Sequence, residues 1–367
     1  MLDKTTSNNQ KIVDLTRLNY AHGVPESKVG FKQEVADFQV DEELGYDLTG
    51  AGEHLCLRVR KNDMSTMEVV RRIGDILQLR ISDIGYAGLK DKRAYCTQWF
   101  SLPVSNEQAK AVKNIECDKL EIMDSKRNAR KIKVGSHKSN HFRIRLRNST
   151  EPLAVLEERL QSIATQGVPN YFGPQRFGRK MSNMVQVIPL MEQVSSGNAV
   201  NTLPRKRFKR SMLFSAARAY LFNQLLSRRV GDDTWNRYMP GEALNLNGTT
   251  RFFVLREDEE WNADYQQRLD RFDIHPSGPL FGIIAEKDRY TSKLEAANVE
   301  TEIATQFESL VEGLKHYGLT AARRPLRFIP DTFTWQQLTG KDMELSFVLG
   351  KGSYATSLLR EICVTEP

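Results

Sequence analysis

Cysteine is scarce: the 367-residue chain holds four, Cys56, Cys96, Cys117 and Cys363, and none forms a C-x-x-C pair. That argues against a zinc ribbon and a disulfide framework, and suits a reducing compartment. His137 and His141 have H-x-x-x-H spacing, but the nearest thiol, Cys117, has no companion, so no metal is expected. Long apolar runs are also missing. None approaches the roughly 18 residues of a membrane helix, and the N-terminal residues are polar, so the expectation is a cytoplasmic protein without membrane association. No G-x-S-x-G or H-E-x-x-H is present, and Gly350-Lys351-Gly352-Ser353 lacks the upstream glycine of a P-loop. Serine hydrolase, zincin and P-loop chemistry therefore have no support, and no cofactor is expected.

Positive charge is present but concentrated. Residues 126–147, KRNARKIKVGSHKSNHFRIRLR, hold nine Lys or Arg and no acid. Without them the 53 basic and 46 acidic residues of the chain nearly balance. A basic stripe on a neutral body is the footprint expected for a phosphate backbone. A second cluster, Arg205-Lys206-Arg207-Phe208-Lys209-Arg210, has an aromatic inside it. The length suggests two domains of roughly 100–200 residues, each able to bury a core.

Strand and helix signals alternate in the first half. Residues 30–42 alternate towards their end, with Phe38 and Val40 on one face, and His54–Arg60 reads as a second strand. Ser65-Thr66-Met67-Glu68 is a capping box opening a helix with Val69, Val70, Ile73, Ile76 and Leu77 on one side. In residues 141–147, Phe142, Ile144 and Leu146 share one face while Arg143, Arg145 and Arg147 share the other. Asn140 has the parity of Phe142. A helix is expected over 153–165. From about Met184 the character becomes helical: Ser211 is expected to cap a helix ending near Gly231, and another is expected over 291–316. Segments such as His275-Pro276-Ser277-Gly278-Pro279 read as turns. Residues 324–364 return to short β segments. The pattern is α+β, with a mostly helical middle inserted into a β-rich body.

The chain is organised around GYAGLKDKRAYCTQWF, residues 85–100. It reads as strand, loop, strand, with Asp91 at the tip and Lys90, Lys92 and Arg93 surrounding that single acid with positive charge. Together with GVPNYFGPQRFG at 167–178 and GSYATSLLRE at 352–361, this block resembles the TruD family of pseudouridine synthases, which isomerise a uridine in tRNA without a cofactor. The resemblance runs from about His22 to Glu361. It implies a mixed-sheet pseudouridine synthase catalytic body, residues 1–166 and 315–367, with a family-specific TRUD domain inserted at 167–314.

The resemblance also implies the site. Asp91 falls on the catalytic aspartate of the G-x-K-D-K loop. Lys32, just before a segment reading Val35-Ala36-Asp37-Phe38 where the family has a P-E-D-F-like run, is expected to pair with Asp91 and orient it. Phe142 is expected to stack on the flipped uridine, although periodicity alone would place it in the core. Asn140 is expected to hydrogen-bond the uracil or ribose. Phe38 and Tyr354 are the other matched substrate contacts, Tyr354 standing where the family often has Phe. Breaking an N1–C1′ bond and rejoining the base through C5 needs a pocket that excludes water and one positioned carboxylate. That carboxylate could attack C1′, attack the base, or take a ribose proton. The implied substrate is uridine-13 in the D arm of tRNA; charge, and not the resemblance, suggests that both basic segments grip the RNA, and a monomer is expected. Alternatives are the same chemistry on another RNA, or a non-catalytic RNA-binding or RNA-folding protein. Hydrolysis of a nucleoside bond would need a second acid or base, for which Asp37 and Glu34 are the nearest in sequence.

Overall fold

The structure, a computed structural model, describes residues 17–197, 204, 206–256, 258–284 and 291–366. Most of the polar N-terminal lead and Arg205 of the second basic cluster lie outside them. The described residues form two compact bodies, one within 25–164, 330–355 and 362–367, the other within 1–24, 165–329 and 356–361. The first body is thus interrupted in sequence by most of the second.

The first run of chain contains β1 (Lys28–Phe31), β2 (Phe38–Leu44), β3 (His54–Asn62), α1 (Thr66–Leu77), β4 (Gly85–Tyr86), β5 (Tyr95–Pro103), a single turn α2 (Asn106–Ala109), β6 (Leu120–Asn128), β7 (His137–Arg147) and α3 (Leu153–Gln166). The capping box forms as read: Ser65 Oγ accepts from Glu68 N at 3.2 Å, and the Glu68 carboxylate accepts from Ser65 N at 2.7 Å. These bonds satisfy donors that the first helical turn leaves free. α1 buries Val69, Val70, Ile73 and Leu77 against Leu57 and Val59 of β3 and Phe100 and Leu102 of β5. The side of the sheet that carries the Asp91 loop is thereby fixed to a packed core.

The second body contains β8 (Val168–Pro169), α4 (Ser182–Ser195), α5 (Arg207–Gly231), β9 (Ala243–Leu246), β10 (Phe252–Val254), α6 (Ala263–Asp270), β11 (Ile274–Leu280), α7 (Leu294–Gln306), α8 (Glu308–His316), β12 (Ala322–Pro325) and β13 (Arg327–Phe328). α5 is the central element. Its Leu213, Ala217, Tyr220 and Leu221 meet Met184, Val187 and Met191 of α4 and Leu310, Val311 and Leu314 of α8. Gly313 sits so close to Met191 that a Cβ there has no room.

Four local expectations change, one of them in the tail, where Ala355–Ile362 is a helix and not one of the short β segments expected over 324–364. α5 opens at Arg207, not at Ser211, because Lys206 supplies the extended N-cap backbone without a side-chain cap. The helix expected over 291–316 is two, since Phe307 leaves helical geometry (φ −121°, ψ 39°) and turns its ring edge-on to Tyr220 at 5.2 Å. His275–Pro279 is not a turn but the buried centre of β11. β9 pairs with residues 274–276 and β12 with 277–280, so each proline has a ladder partner on one side only. Its missing N–H can then fall on the unpaired side at no cost.

The chain returns to the first body with β14 (Asp331–Gln337), β15 (Met343–Gly350) and β16 (Val364–Glu366), while α9 (Ala355–Ile362), between the last two, belongs almost wholly to the second body. The ten-stranded sheet of the first body runs β14-β15-β7-β2-β5-β3-β6, with β1 beside β7 and β16, and β4 beside β5. The β2–β5 and β1–β16 pairs are parallel and the others antiparallel, so the sheet is mixed. β7, β2 and β5 are adjacent in it. No described helix is long and apolar enough to cross a membrane.

Candidate active site

Asp91 lies in the loop between β4 and β5, its side chain 38% exposed. Buried polar groups hold the loop by its backbone. Lys61 of β3, 1% exposed, donates from Nζ to the carbonyl of Asp91 at 2.7 Å and to that of Met64 at 2.5 Å. Thr66 Oγ1 accepts from Lys90 N at 2.9 Å and donates to Gln98 Oε1 at 3.0 Å. Gln98 Nε2 in turn donates to the carbonyl of Gly88. Gly135 N donates to the carbonyl of Ala87 at 2.6 Å. β3, α1, β5 and the segment before β7 therefore each hold one point of the loop.

The carboxylate of Asp91 is held by Lys32, whose Nζ lies 2.6 Å from Oδ2. Lys32 follows the last residue of β1 and has φ +57°, a left-handed conformation that costs a residue with a Cβ about 1–2 kcal/mol. Its ammonium also lies 3.8 Å from the Phe38 ring centroid and 5.3 Å from that of Phe31. A cation on a ring face is attracted by the ring's quadrupole, and more strongly where water is partly excluded. Lys32 is thus fixed by an acid and two rings.

The three cations flanking Asp91 in sequence do not surround it. Lys90 turns inward to Glu42, 3.0 Å away, with side-chain exposures of 8% and 0%, and donates to Asn140 Oδ1. Lys92 pairs with Glu68 at 3.2 Å, and Arg93 donates to the carbonyl of Gln33 at 2.8 Å. The reason is the length of these side chains: each reaches past its neighbour to an acceptor on another element. Glu42 Oε1 also accepts from Trp99 N at 3.1 Å, tying β2 to β5.

Asn140 and Phe142 stand on one face of β7, both half-buried. An ammonium can only donate, so the contact with Lys90 fixes which way the Asn140 amide points. Its Nδ2 then has no acceptor among the described residues. The Phe142 ring is stacked on Phe347 of β15 at 5.2 Å and 19°, and meets Phe38 edge-on at 6.0 Å. Phe38 is buried at 6% exposure, while Phe142 keeps part of its ring open. Tyr354 is half-buried in the turn between β15 and α9. Leu349 pairs with Asn140, which brings the end of β15 to the start of β7 and Tyr354 five residues beyond it.

Asp91, Lys32, Phe38 and Phe142 thus form one chain of direct contacts. Asn140 joins through Lys90, while Tyr354 lies in the turn that follows β15, beyond the last paired residue Gly350. Glu42, Lys61, Thr66 and Gln98 were not singled out by sequence. The available signal was strand parity: Glu42 shares the inward face of Phe38 and Val40, and Lys61 that of Leu57 and Val59, where a charge is out of place.

The acids considered for water activation are engaged elsewhere. Asp37 is 1% exposed and receives Arg147 Nη2 at 2.7 Å, with Glu34 3.0 Å from the same guanidinium. Burial alone would raise the Asp37 pKa, but the Arg147 hydrogen bonds, the Glu34 backbone and the Arg147 charge hold it below the usual carboxylate range. The basic stripe is also thinner than its composition. Arg145 pairs with Asp342 at 2.7 Å, Arg143 lies 3.9 Å from Glu344, and Lys138 pairs with Glu43 at 3.2 Å. Lys126, Arg130 and Lys133 are its exposed cations without a carboxylate partner among the described residues.

Chemically, the arrangement presents one oriented carboxylate, a ring with an open portion and an amide donor. A family model described as tRNA pseudouridine synthase D (TruD) matches residues 15–188 and 183–362. A tRNA pseudouridine synthase D from Nitrosococcus oceani is 40% identical over 332 residues, covering 90% of this chain and 89% of that one. Another from Hydrogenovibrio crunogenus is 34% identical over 351 residues, covering 95% and 97%. A solved structure from Methanosarcina mazei, described as a tRNA pseudouridine synthase D candidate, superposes with a TM-score of 0.72 over 96% of this chain and 97% of that one. At 21% identity that likeness establishes the fold.

Proposed function

Because the chain belongs to the TruD family of tRNA pseudouridine synthases, we propose that it isomerises uridine-13 in the D arm of tRNA, with Asp91 as the catalytic carboxylate. Family membership itself carries isomerase activity on tRNA; the position and the residue are the proposal. One observation carries the assignment of Asp91: its carboxylate is oriented by a 2.6 Å bond to Lys32, whose ammonium lies 3.8 Å from the Phe38 ring that in turn meets the partly open Phe142.

In the reaction the N1–C1′ bond breaks, the uracil turns, and a C5–C1′ bond forms. C5 gives up its proton and N1 gains one. Asp91 acts at C1′, at the base, or on a ribose proton, and each route needs a charged carboxylate fixed close to the nucleoside. Lys32 orients Asp91. Phe142 offers the π-face against which an extruded base rests. Asn140 Nδ2 donates to a uracil or ribose oxygen, Tyr354 contributes a further aromatic contact, and Phe38 supports both Lys32 and Phe142 from beneath. Arg207 and Arg210, with the exposed cations of residues 126–133, contact the RNA backbone. The TRUD domain, 167–314, lies within the second body, which also takes in residues 17–24, 315–329 and 356–361, and the enzyme works as a cytoplasmic monomer.

The test is pseudouridine mapping on unmodified tRNA transcripts with wild type and Asp91→Ala side by side. Conversion at uridine-13 by wild type alone is expected. Conversion at another position replaces the substrate and keeps the chemistry. No conversion by either protein, with tRNA still bound, makes this an RNA-binding protein.

A further inference from the structure

The second body contains a cavity of about 640 Å³ that the proposed reaction does not use. One face of α5 lines it: Arg207, Arg210, Ser211, Phe214, Ser215 and Arg218 recur at intervals of three and four residues, the spacing of a single helix face. The facing wall is Phe172 with Tyr317–Leu319, the segment after α8. Phe214 and Tyr317 are stacked at 5.1 Å and 25°, both half-buried. No lining residue is an acid.

The charge of this face is what calls for a ligand. Elsewhere in the second body Arg229 meets Glu242 at 2.7 Å and Arg323 meets Glu300 at 2.6 Å, while the buried Arg324 and Arg327 are held by Asn170, His275 and backbone carbonyls. None of Arg207, Arg210 and Arg218 has a carboxylate partner among the described residues. Arg218 donates from Nη2 to the carbonyls of Leu280 at 2.8 Å and Thr320 at 3.0 Å, while its buried Nε has no partner. Buried guanidinium donors of this kind are costly unless they meet an acceptor. A phosphate supplies several acceptor oxygens in the planar geometry that arginine matches.

The aromatic pair narrows the ligand further. A bare anion has no use for a stacked Phe–Tyr wall, whereas every nucleobase has a π-face to set against one. The volume is within the range of sites that enclose a small molecule, and a base-paired duplex exposes no base to enter it. We propose that this cavity is a subsite for one unstacked nucleotide of the RNA substrate, its phosphate at Arg207 and Arg210 and its base on the Phe214–Tyr317 wall. The proposal rests on the reading of the protein as a tRNA-modifying enzyme and adds a point of grip outside the catalytic body.

The experiment is fluorescence anisotropy on the full chain, with a labelled oligouridine strand and a blunt RNA duplex of the same length. The variants are Arg207→Gln/Arg210→Gln and Phe214→Leu, each checked by circular dichroism. The double variant should weaken strand binding and reduce the slope of log K against log salt by about 1.4, two phosphate contacts at about 0.7 each. Phe214→Leu should weaken strand binding by about fivefold or more at an unchanged slope and leave the duplex unaffected. Wild-type affinity and slope in both variants, or equal losses on strand and duplex, would overturn the subsite. If Phe214→Leu does not fold, crosslinking of a 4-thiouridine strand to wild type decides. Adducts on peptides holding Phe214 or Tyr317 are expected, and adducts confined to the first body refute it. Mapping of wild-type products separates the two readings: variant losses without any pseudouridine keep the subsite and remove the reaction, and pseudouridine with unaltered variants does the reverse.

Discussion

Replacing Lys90 by methionine would remove the only cation that faces the Glu42 carboxylate among the described residues, in a place neither side chain shares with solvent. Their side-chain exposures are 8% and 0%, and the 3.0 Å contact lies beneath the loop that carries Asp91. Truncating one partner of such a pair leaves an uncompensated buried charge, at a cost of about 3–5 kcal/mol. The contact with Asn140 Oδ1 goes with it, which frees that amide to turn. Methionine matches the length of the lysine stem, so loss of packing adds little. Adding Glu42→Gln should recover most of the cost, because glutamine can still accept from Trp99 N and carries no charge. The assay is urea unfolding combined with hydrogen exchange at β2 and β5, which reads the first body directly. Lys90→Met should speed exchange there, and the double variant should bring it back towards wild type. A loss below about 1 kcal/mol in the single variant, or an equal loss in both, would refute the reasoning. Normal exchange with lost turnover would instead make Lys90 a substrate contact.

Four further outcomes are expected. Asp91→Asn should lower the single-turnover rate by about 10²–10⁴-fold or more while tRNA affinity stays within about threefold; retained turnover removes Asp91 from the chemistry. Lys32→Met should lower kcat with little change in KM, as measured by tritium release from C5-labelled tRNA, because it loosens the orientation of Asp91 and not the RNA contacts. Phe142→Leu should weaken engagement of the target nucleotide by about 1–3 kcal/mol, read as a rise in KM or a fall in kcat/KM, and no change would return Phe142 to the core. His275, 2% exposed, is pushed down to about 3 by burial and by the neighbouring Arg327 charge. The unfolded chain binds that proton first, at about 6.5, so its contribution to stability is complete above that pH and is lost as pH falls towards 3. At pH 5 the loss is about 2 kcal/mol, and melting curves of His275→Gln should fall less steeply over this window than those of wild type.

What sequence could show, and what it could not, divides along a physical line. The strands and helices of the first body follow from periodicity and caps, as the Ser65–Glu68 box and the alternation through Phe142, Ile144 and Leu146 show. β11 was hidden because its two prolines look like turn residues; only the change of partner strand at Ser277 makes them tolerable there. The break at Phe307 was hidden because an aromatic side chain seeking the core of α5 outweighs helix propensity. At the site, residue types alone surround Asp91 with Lys90, Lys92 and Arg93, whereas only the family resemblance points to Lys32, whose Nζ lies 2.6 Å from the carboxylate. A flexible four-carbon stem lets lysine choose among distant acceptors, and that choice is made by tertiary structure. Lys32, 59 positions away, takes the carboxylate, while the adjacent Lys90 takes Glu42.

The exchange of partners has a consequence for rigidity. Had Lys90 and Lys92 held Asp91, the bond would lie within one loop and move with it. Lys32 instead anchors the carboxylate to β1, Lys61 anchors its backbone carbonyl to β3, and Lys90 with Glu42 anchors the preceding residue to β2 and β5. Lys32 and Lys61 from outside, with Lys90 of the loop itself reaching to β2, thus fix a loop of small and charged residues that could not pack itself. Two of them are buried, at a desolvation cost that packing alone would not select. The third holds a left-handed backbone. Costs of this kind gathered at one loop are intelligible if the loop must already be in place when the nucleotide arrives. A carboxylate that had to be ordered by its substrate would spend binding energy on doing so.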